Sequence, residues 1–192
     1  MFENQVLGQR AGFQDEAAAI YGGGNYWEFG TNGSIRRFEI SREELETLES
    51  RIVLINTGAS HLSANIHDLV FGPGNYERNI PTLDRMKEIA KEMRENIGRA
   101  RAMGSLIQET WELQKSLHES IETEIMRELQ ERLGECYSAA RSPGAGGGGA
   151  FLFYTFERDR LIKKFEKISG DYPDVKLLPF KIDYDGLRIE DC

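Results

Sequence analysis

Ser142-Pro143-Gly144-Ala145-Gly146-Gly147-Gly148-Gly149-Ala150-Phe151-Leu152-Phe153-Tyr154-Thr155 carries a glycine tract straight into an apolar run. Flexible linkers join independent units through polar sequence. Here Ala150–Thr155 reads as a strand with no spacer after Gly149, so the tract is held against a sheet. Beyond it, Leu161, Ile162, Phe165 and Ile168 recur at helical spacing. Residues 175–182 form another extended run, and Pro179 within it predicts an edge position or a bulge. Strand, helix and strand here, with helices before them, give an α+β class.

Ahead of the tract three apolar stripes follow one another. Leu83, Met86, Ala90, Met93 and Ile97 predict a helix opened by Thr82 as its cap. Leu106, Ile107, Trp111, Leu113 and Leu117 predict a second helix, and Ile121, Ile125, Leu129 and Leu133 a third that stops at Gly134. Phe71-Gly72-Pro73-Gly74-Asn75 is the strongest punctuation in the first half and predicts a boundary, giving domains of 1–72 and 73–192. Within 1–72, a helical segment is expected from Ser60 to Val70. Arg51–Asn56 is a β-branched run suited to a central strand, ended by Thr57-Gly58. Asn25–Phe29, the Asn32-Gly33 turn and residues 35–40 predict a hairpin, preceded by a short helix over Ala11–Tyr21 that stops at Gly22-Gly23-Gly24.

The 192 residues suffice for one good core or two small ones. With 32 acidic against 24 basic side chains the net charge is −8, which argues against a nucleic-acid or anionic-lipid partner. Cys136 and Cys192 stand far apart, outside any Cys-x-x-Cys or Cys/His array, which argues against a disulfide framework or structural zinc and fits a cytoplasmic setting. The longest apolar run, Ala150–Phe156, is far short of a membrane span, and the first residues carry no targeting signal.

Two features bear on chemistry. The glycine tract is open to three readings: linker, structural turn, or a cradle whose backbone N–H groups face an anion. It is not a Walker loop, because no Lys-Ser/Thr follows and a strand comes next. Asp15 either complements the dipole of the helix it begins or accepts a proton from a substrate hydroxyl. His61 and His67, six apart, are poorly spaced for a shared metal, and no metal site is expected. Trp111, on a helical stripe, reads as core.

The stretch Gly12-Phe13-Gln14-Asp15-Glu16-Ala17-Ala18-Ala19-Ile20-Tyr21-Gly22-Gly23-Gly24-Asn25-Tyr26-Trp27-Glu28-Phe29 resembles a motif of the GHMP kinases, most closely the heptose 7-phosphate kinases. Thr57-Gly58-Ala59-Ser60, Trp111-Glu112-Leu113-Gln114-Lys115 and the glycine tract recur in the same order as in that family. The resemblance implies a remnant of the GHMP N-terminal domain, hairpin and strand, followed by a ferredoxin-like C-terminal domain. It implies Asp15 as catalytic base, Gln14, Gly23 and Asn25 as substrate contacts, and Gly144, Ala145, Gly146, Gly147, Gly148 and Gly149 at the nucleotide phosphates. ATP and Mg2+ are the implied cofactors and a sugar phosphate the implied substrate. The family's principal phosphate loop and magnesium ligand fall upstream of its acid and are missing from this sequence. His61 stands where the heptose kinases tend to have arginine, and Glu16 replaces a glutamine. The chain is therefore expected to need an N-terminal kinase half or to self-associate, and to be inactive or weak alone. A non-catalytic binding module and a truncated fragment are the alternatives.

Overall fold

The computed structural model describes residues 13–59 and 63–188. They divide into two compact units, one of the residues up to Glu49 together with those from Lys181, the other Ser50–Phe180.

In the first unit, helix α1 (Phe13–Tyr21) leads through a glycine turn to the hairpin β1 (Asn25–Phe29) and β2 (Ile35–Glu39). The strands pair antiparallel from Asn25↔Glu39 to Phe29↔Ile35. Gly33 sits at φ 81° in the turn, and Gly33 N–H donates to the Gly30 carbonyl. A left-handed glycine in a short hairpin loop matches the right-handed twist of the flanking strands. Helix α2 (Arg42–Glu49) follows. Apolar spacing does not predict it, yet Ser41 and Glu44 form a reciprocal cap: Glu44 N–H donates to Ser41 Oγ at 3.3 Å and Ser41 N–H to Glu44 Oε2 at 3.2 Å. This is a capping box, satisfying two amide donors that the helix start leaves unpaired. Ser41→Ala should cost α2 about 1 kcal/mol, a roughly fivefold loss of amide protection measured by hydrogen exchange over Glu44–Glu49. The tail returns to this unit, where Gly23 N–H donates to the Asp183 carbonyl and Leu187 N–H to the Ile20 carbonyl.

The second unit is built on β3 (Ile52–Asn56), β4 (Ala139–Arg141), β5 (Ala150–Tyr154) and β6 (Lys176–Leu178). Their order in the sheet is β4-β5-β3-β6, all antiparallel. Numbered within the unit this is second-third-first-fourth, the ferredoxin-like arrangement in which two β-α-β units interlock. Helices α3 (Ser63–Phe71), α4 (Asn75–Asn96), α5 (Ala100–Leu117) and α6 (Glu124–Leu133) lie between β3 and β4, and α7 (Arg158–Ile168) between β5 and β6. Val53 and Ile55 of β3, with Phe151 and Phe153 of β5, are buried against Trp111, Met126, Leu129, Leu133, Leu161 and Phe165 from the helices. The intervening Leu54 and Leu152 are only half-buried. The alternation is that of a sheet packed more tightly on one face.

Three expectations are corrected here. The break at Gly72–Gly74 is a turn between α3 and α4 inside the second unit, and the units divide instead after Glu49 and after Phe180. The strand Ile52–Asn56 does not go with the hairpin: it pairs with β5 and β6 at the centre of the second sheet, as its apolar run requires. Thr82 is not a helix cap, since α4 already begins at Asn75 and carries Pro81 inside it. A proline there removes one helical hydrogen bond. The first turns are held from outside, by Asn75 Nδ2 on the Leu69 carbonyl at 2.8 Å and Asn79 Nδ2 on the Val70 carbonyl at 3.0 Å. β6 stops before Pro179 and lies at the sheet edge, where a residue without an N–H is tolerated.

Candidate phosphate-binding site

The loop between β4 and β5 has an unusual backbone. Gly146, Gly147, Gly148 and Gly149 stand at φ 93°, 76°, 141° and 70°. Four successive residues in this half of φ space favour glycine over any residue with a side chain. Three supports from distant sequence hold the loop. Thr57 is buried, and both its N–H and its Oγ1 donate to the Gly149 carbonyl at 2.9 Å, while Gly149 N–H donates to the Ala59 carbonyl. Gly147 N–H donates to the Ile121 carbonyl at 2.8 Å. Gln114 Nε2, on α5, donates to the Gly144 carbonyl at 2.7 Å, and Gln114 Oε1 is buried with no partner among the described residues.

Two of the tract's amides are thus used inside the fold. Among the described residues, the N–H groups of Gly144, Ala145, Gly146 and Gly148 donate to no protein acceptor. Several amide donors without a described acceptor in one short glycine loop are what an anion cradle requires. The linker reading fails because the loop is tied at Gly144, Gly147 and Gly149. A Cβ on Gly146 would lie 2.6 Å from Ile121 Cγ2 and 2.9 Å from its carbonyl oxygen, whereas one on Gly144 meets nothing. Gly146→Ala should therefore destabilise the second unit by about 2–4 kcal/mol through backbone strain and overpacking. Gly144→Ala should change stability by less than about 0.5 kcal/mol. Urea unfolding of the two variants separates them.

The residues expected in a substrate site fall in the first unit. Gln14 and Asp15 are exposed on the first turn of α1, Asp15 beside Glu16. Gly23 N–H is engaged by the Asp183 carbonyl, which gives Gly23 a structural role. Asn25 Nδ2 donates to the Gly22 carbonyl at 2.8 Å, leaving Asn25 Oδ1 buried without a described partner. His61 lies outside the described residues. Trp111 is fully buried and is core. Among the described residues no group of three or more His, Cys, Asp or Glu side chains is placed to hold a metal ion, and no helix is long and apolar enough to cross a membrane. Apolar spacing assigns Ile121 only to a helical stripe. Its carbonyl proves to be a strut of the loop, a role that no side-chain pattern reveals.

Residues 86–174 match the family described as GHMP kinases C terminal. This span is similar to the C-terminal domain of the GHMP kinases. The matched span includes Gln114, Ile121 and the whole glycine loop, whereas Thr57 lies ahead of it. A D-glycero-alpha-D-manno-heptose 7-phosphate kinase from Campylobacter jejuni is 26% identical over 179 residues, covering 90% of this chain and 53% of that protein. Among solved structures, a D-glycero-D-manno-heptose 1-phosphate kinase from Bacteriodes thetaiotaomicron superposes with TM-score 0.68 at 22% identity, over 99% of this chain and 54% of that one. The mevalonate kinase of L. major superposes with TM-score 0.64 at 17% identity, over 90% of this chain and 52% of that one. These structures share the fold. The chain spans about half the length of the relatives it matches.

Proposed function

We propose that the chain is the C-terminal portion of an ATP-dependent sugar kinase that moves the γ-phosphoryl group of ATP to a hydroxyl of a sugar phosphate of the heptose 7-phosphate class. What supports the reading is the glycine loop, in which four amides have no acceptor among the described residues and whose backbone is tied by Thr57, Ile121 and Gln114. Phosphoryl transfer spreads negative charge over the oxygens of the group in flight, and donors already aimed at those oxygens stabilise it without reorganising. Asp15 supplies the complementary chemistry, as an exposed carboxylate able to accept the proton of the attacking hydroxyl. Magnesium bound to ATP would supply charge neutralisation, and no residue of this chain is assigned to hold it.

The relatives are about twice as long, so the proposed kinase needs the part of the scaffold this chain does not span. The test mixes the chain with the N-terminal half of a heptose phosphate kinase and follows ATP consumption with D-glycero-alpha-D-manno-heptose 7-phosphate, the sugar phosphate in the relative's name. Sugar-dependent turnover in the mixture, absent from either half alone, is the expected result. A mixture no more active than its parts would overturn the kinase reading and leave a phosphate-binding module.

A further inference from the structure

Arg141 is the last residue of β4 and stands directly before the glycine loop. Its side chain is half-buried, in register with Leu152 on the more open face of the sheet. Nε donates to the Ser142 carbonyl at 3.2 Å, which curls the guanidinium toward the loop's own entry. Among the described residues no carboxylate lies within ion-pair distance of it. Some other arginines of the second unit are paired with carboxylates: Arg85 with Glu92 and Glu109, Arg132 with Asp171, and Arg160 with Glu135 and Glu157. Burial alone acts on Arg141 and lowers its pKa from the ordinary guanidinium value, because the charged form has lost hydration. Arginine nevertheless stays protonated in proteins. Arg141 is thus a partly desolvated cation with no carboxylate partner among the described residues, close in sequence to the glycine loop.

We propose that Arg141 is a phosphate-binding residue of the glycine loop, its terminal guanidinium nitrogens donating to a phosphoryl group whose other oxygens face the free amides of Gly144, Ala145, Gly146 and Gly148. The proposal rests on the phosphate reading of the loop and adds the residue that supplies positive charge to it. The pairing has a physical basis: a guanidinium is planar, presents a fork of donors matched to two phosphate oxygens, and is more easily desolvated than an ammonium. An anion seated there would compensate a charge that the fold leaves open. The phosphoryl group has two sources, the polyphosphate of a nucleotide and the phosphate of a sugar phosphate, and the same loop chemistry serves both.

The test uses the full 192-residue chain, isotopically labelled, with MgATP, inorganic tripolyphosphate and D-glycero-alpha-D-manno-heptose 7-phosphate as separate probes. Wild-type protein should show the Arg141 Nε–H resonance and the four loop amides shifting together, with one dissociation constant. That observation needs no variant. Arg141→Gln should weaken the same binding about tenfold or more, the scale of a lost charge-assisted hydrogen bond, and Arg141→Lys should retain part of the affinity. The probe that binds more tightly identifies the source. If the loop amides shift while Arg141 Nε–H stays still, and Arg141→Gln binds like wild type, the loop is a phosphate site and the assignment of Arg141 is wrong. If no probe shifts the loop amides, the phosphate reading of the loop fails and the role of Arg141 fails with it.

Discussion

Asp15→Asn is expected to lower turnover in the reconstituted kinase by about 10²–10⁴-fold, the range for loss of a positioned general base. Asparagine keeps the size and polarity of the side chain and removes only the capacity to take a proton. The competing role for an acid in the first turn of α1, interaction with the helix dipole, is worth about 0.3–1 kcal/mol. The two roles therefore separate by readout. A catalytic base loses turnover at saturating substrate with little change in thermal stability; a dipole partner loses a fraction of stability and leaves turnover within a few-fold. Glu16→Gln, one position along, is the control for general negative charge at the helix start. Equal losses for the two variants would deny Asp15 a specific role.

Trp111→Ala should cost the second unit about 3–5 kcal/mol, the usual penalty for emptying a large aromatic from a packed core. Trp111 is fully buried, stands edge-on to Phe151 with ring centroids 5.3 Å apart, and donates from Nε1 to Gln130 Oε1 at 3.2 Å. Domain stabilities total about 5–15 kcal/mol, so the variant is expected to sit near or past its unfolding threshold at physiological temperature. Trp111→Phe keeps most of the packing and should lose about 1–3 kcal/mol, chiefly by leaving the Gln130 oxygen without its donor. Urea midpoints for both variants check this, and a loss under about 1 kcal/mol for Trp111→Ala would contradict a core role. Gln114 lies one turn on along α5 and holds Gly144. Loosening Trp111 should therefore also loosen the glycine loop, and with it the phosphate binding proposed there.

Where the sequence carries a strong periodic or compositional signal, the fold is readable from it. The stripes through Trp111 and Leu129, the run Ile52–Ile55 and the abrupt entry of Gly149 into Ala150–Tyr154 each correspond to an element in the expected place. The misses share a cause. Thr82 reads as a helix cap, but α4 runs from Asn75 through Pro81, and the hydrogen bonds of Asn75 and Asn79 that hold its first turns are tertiary. Helix α2 has a weak apolar stripe, with Leu45 its one buried residue, and only the Ser41 and Glu44 box announces it. A boundary near Gly72 follows local punctuation, while the true division depends on which strands β3 pairs with, a matter of partners about a hundred residues away in sequence. At the loop, glycine content is legible, but which amides remain free depends on the carbonyls of Ile121 and Ala59.

The bond between Thr57 and the Gly149 carbonyl spans 92 positions of sequence. On the ribosome, at roughly 5–20 residues per second, β3 emerges about 5–20 s before the strand that will lie beside it. During that interval Ile52, Val53, Leu54 and Ile55 form an apolar ribbon with unpaired edges, the kind of segment that chaperones cover and that aggregates when they do not. The glycine loop is tied to β3 at one end and to α5 at the other, so it is among the last parts of the second unit to take shape. An interrupted synthesis would then yield chains with helices formed and the glycine loop unsupported, and yield of folded protein should depend on translation rate as well as on final stability.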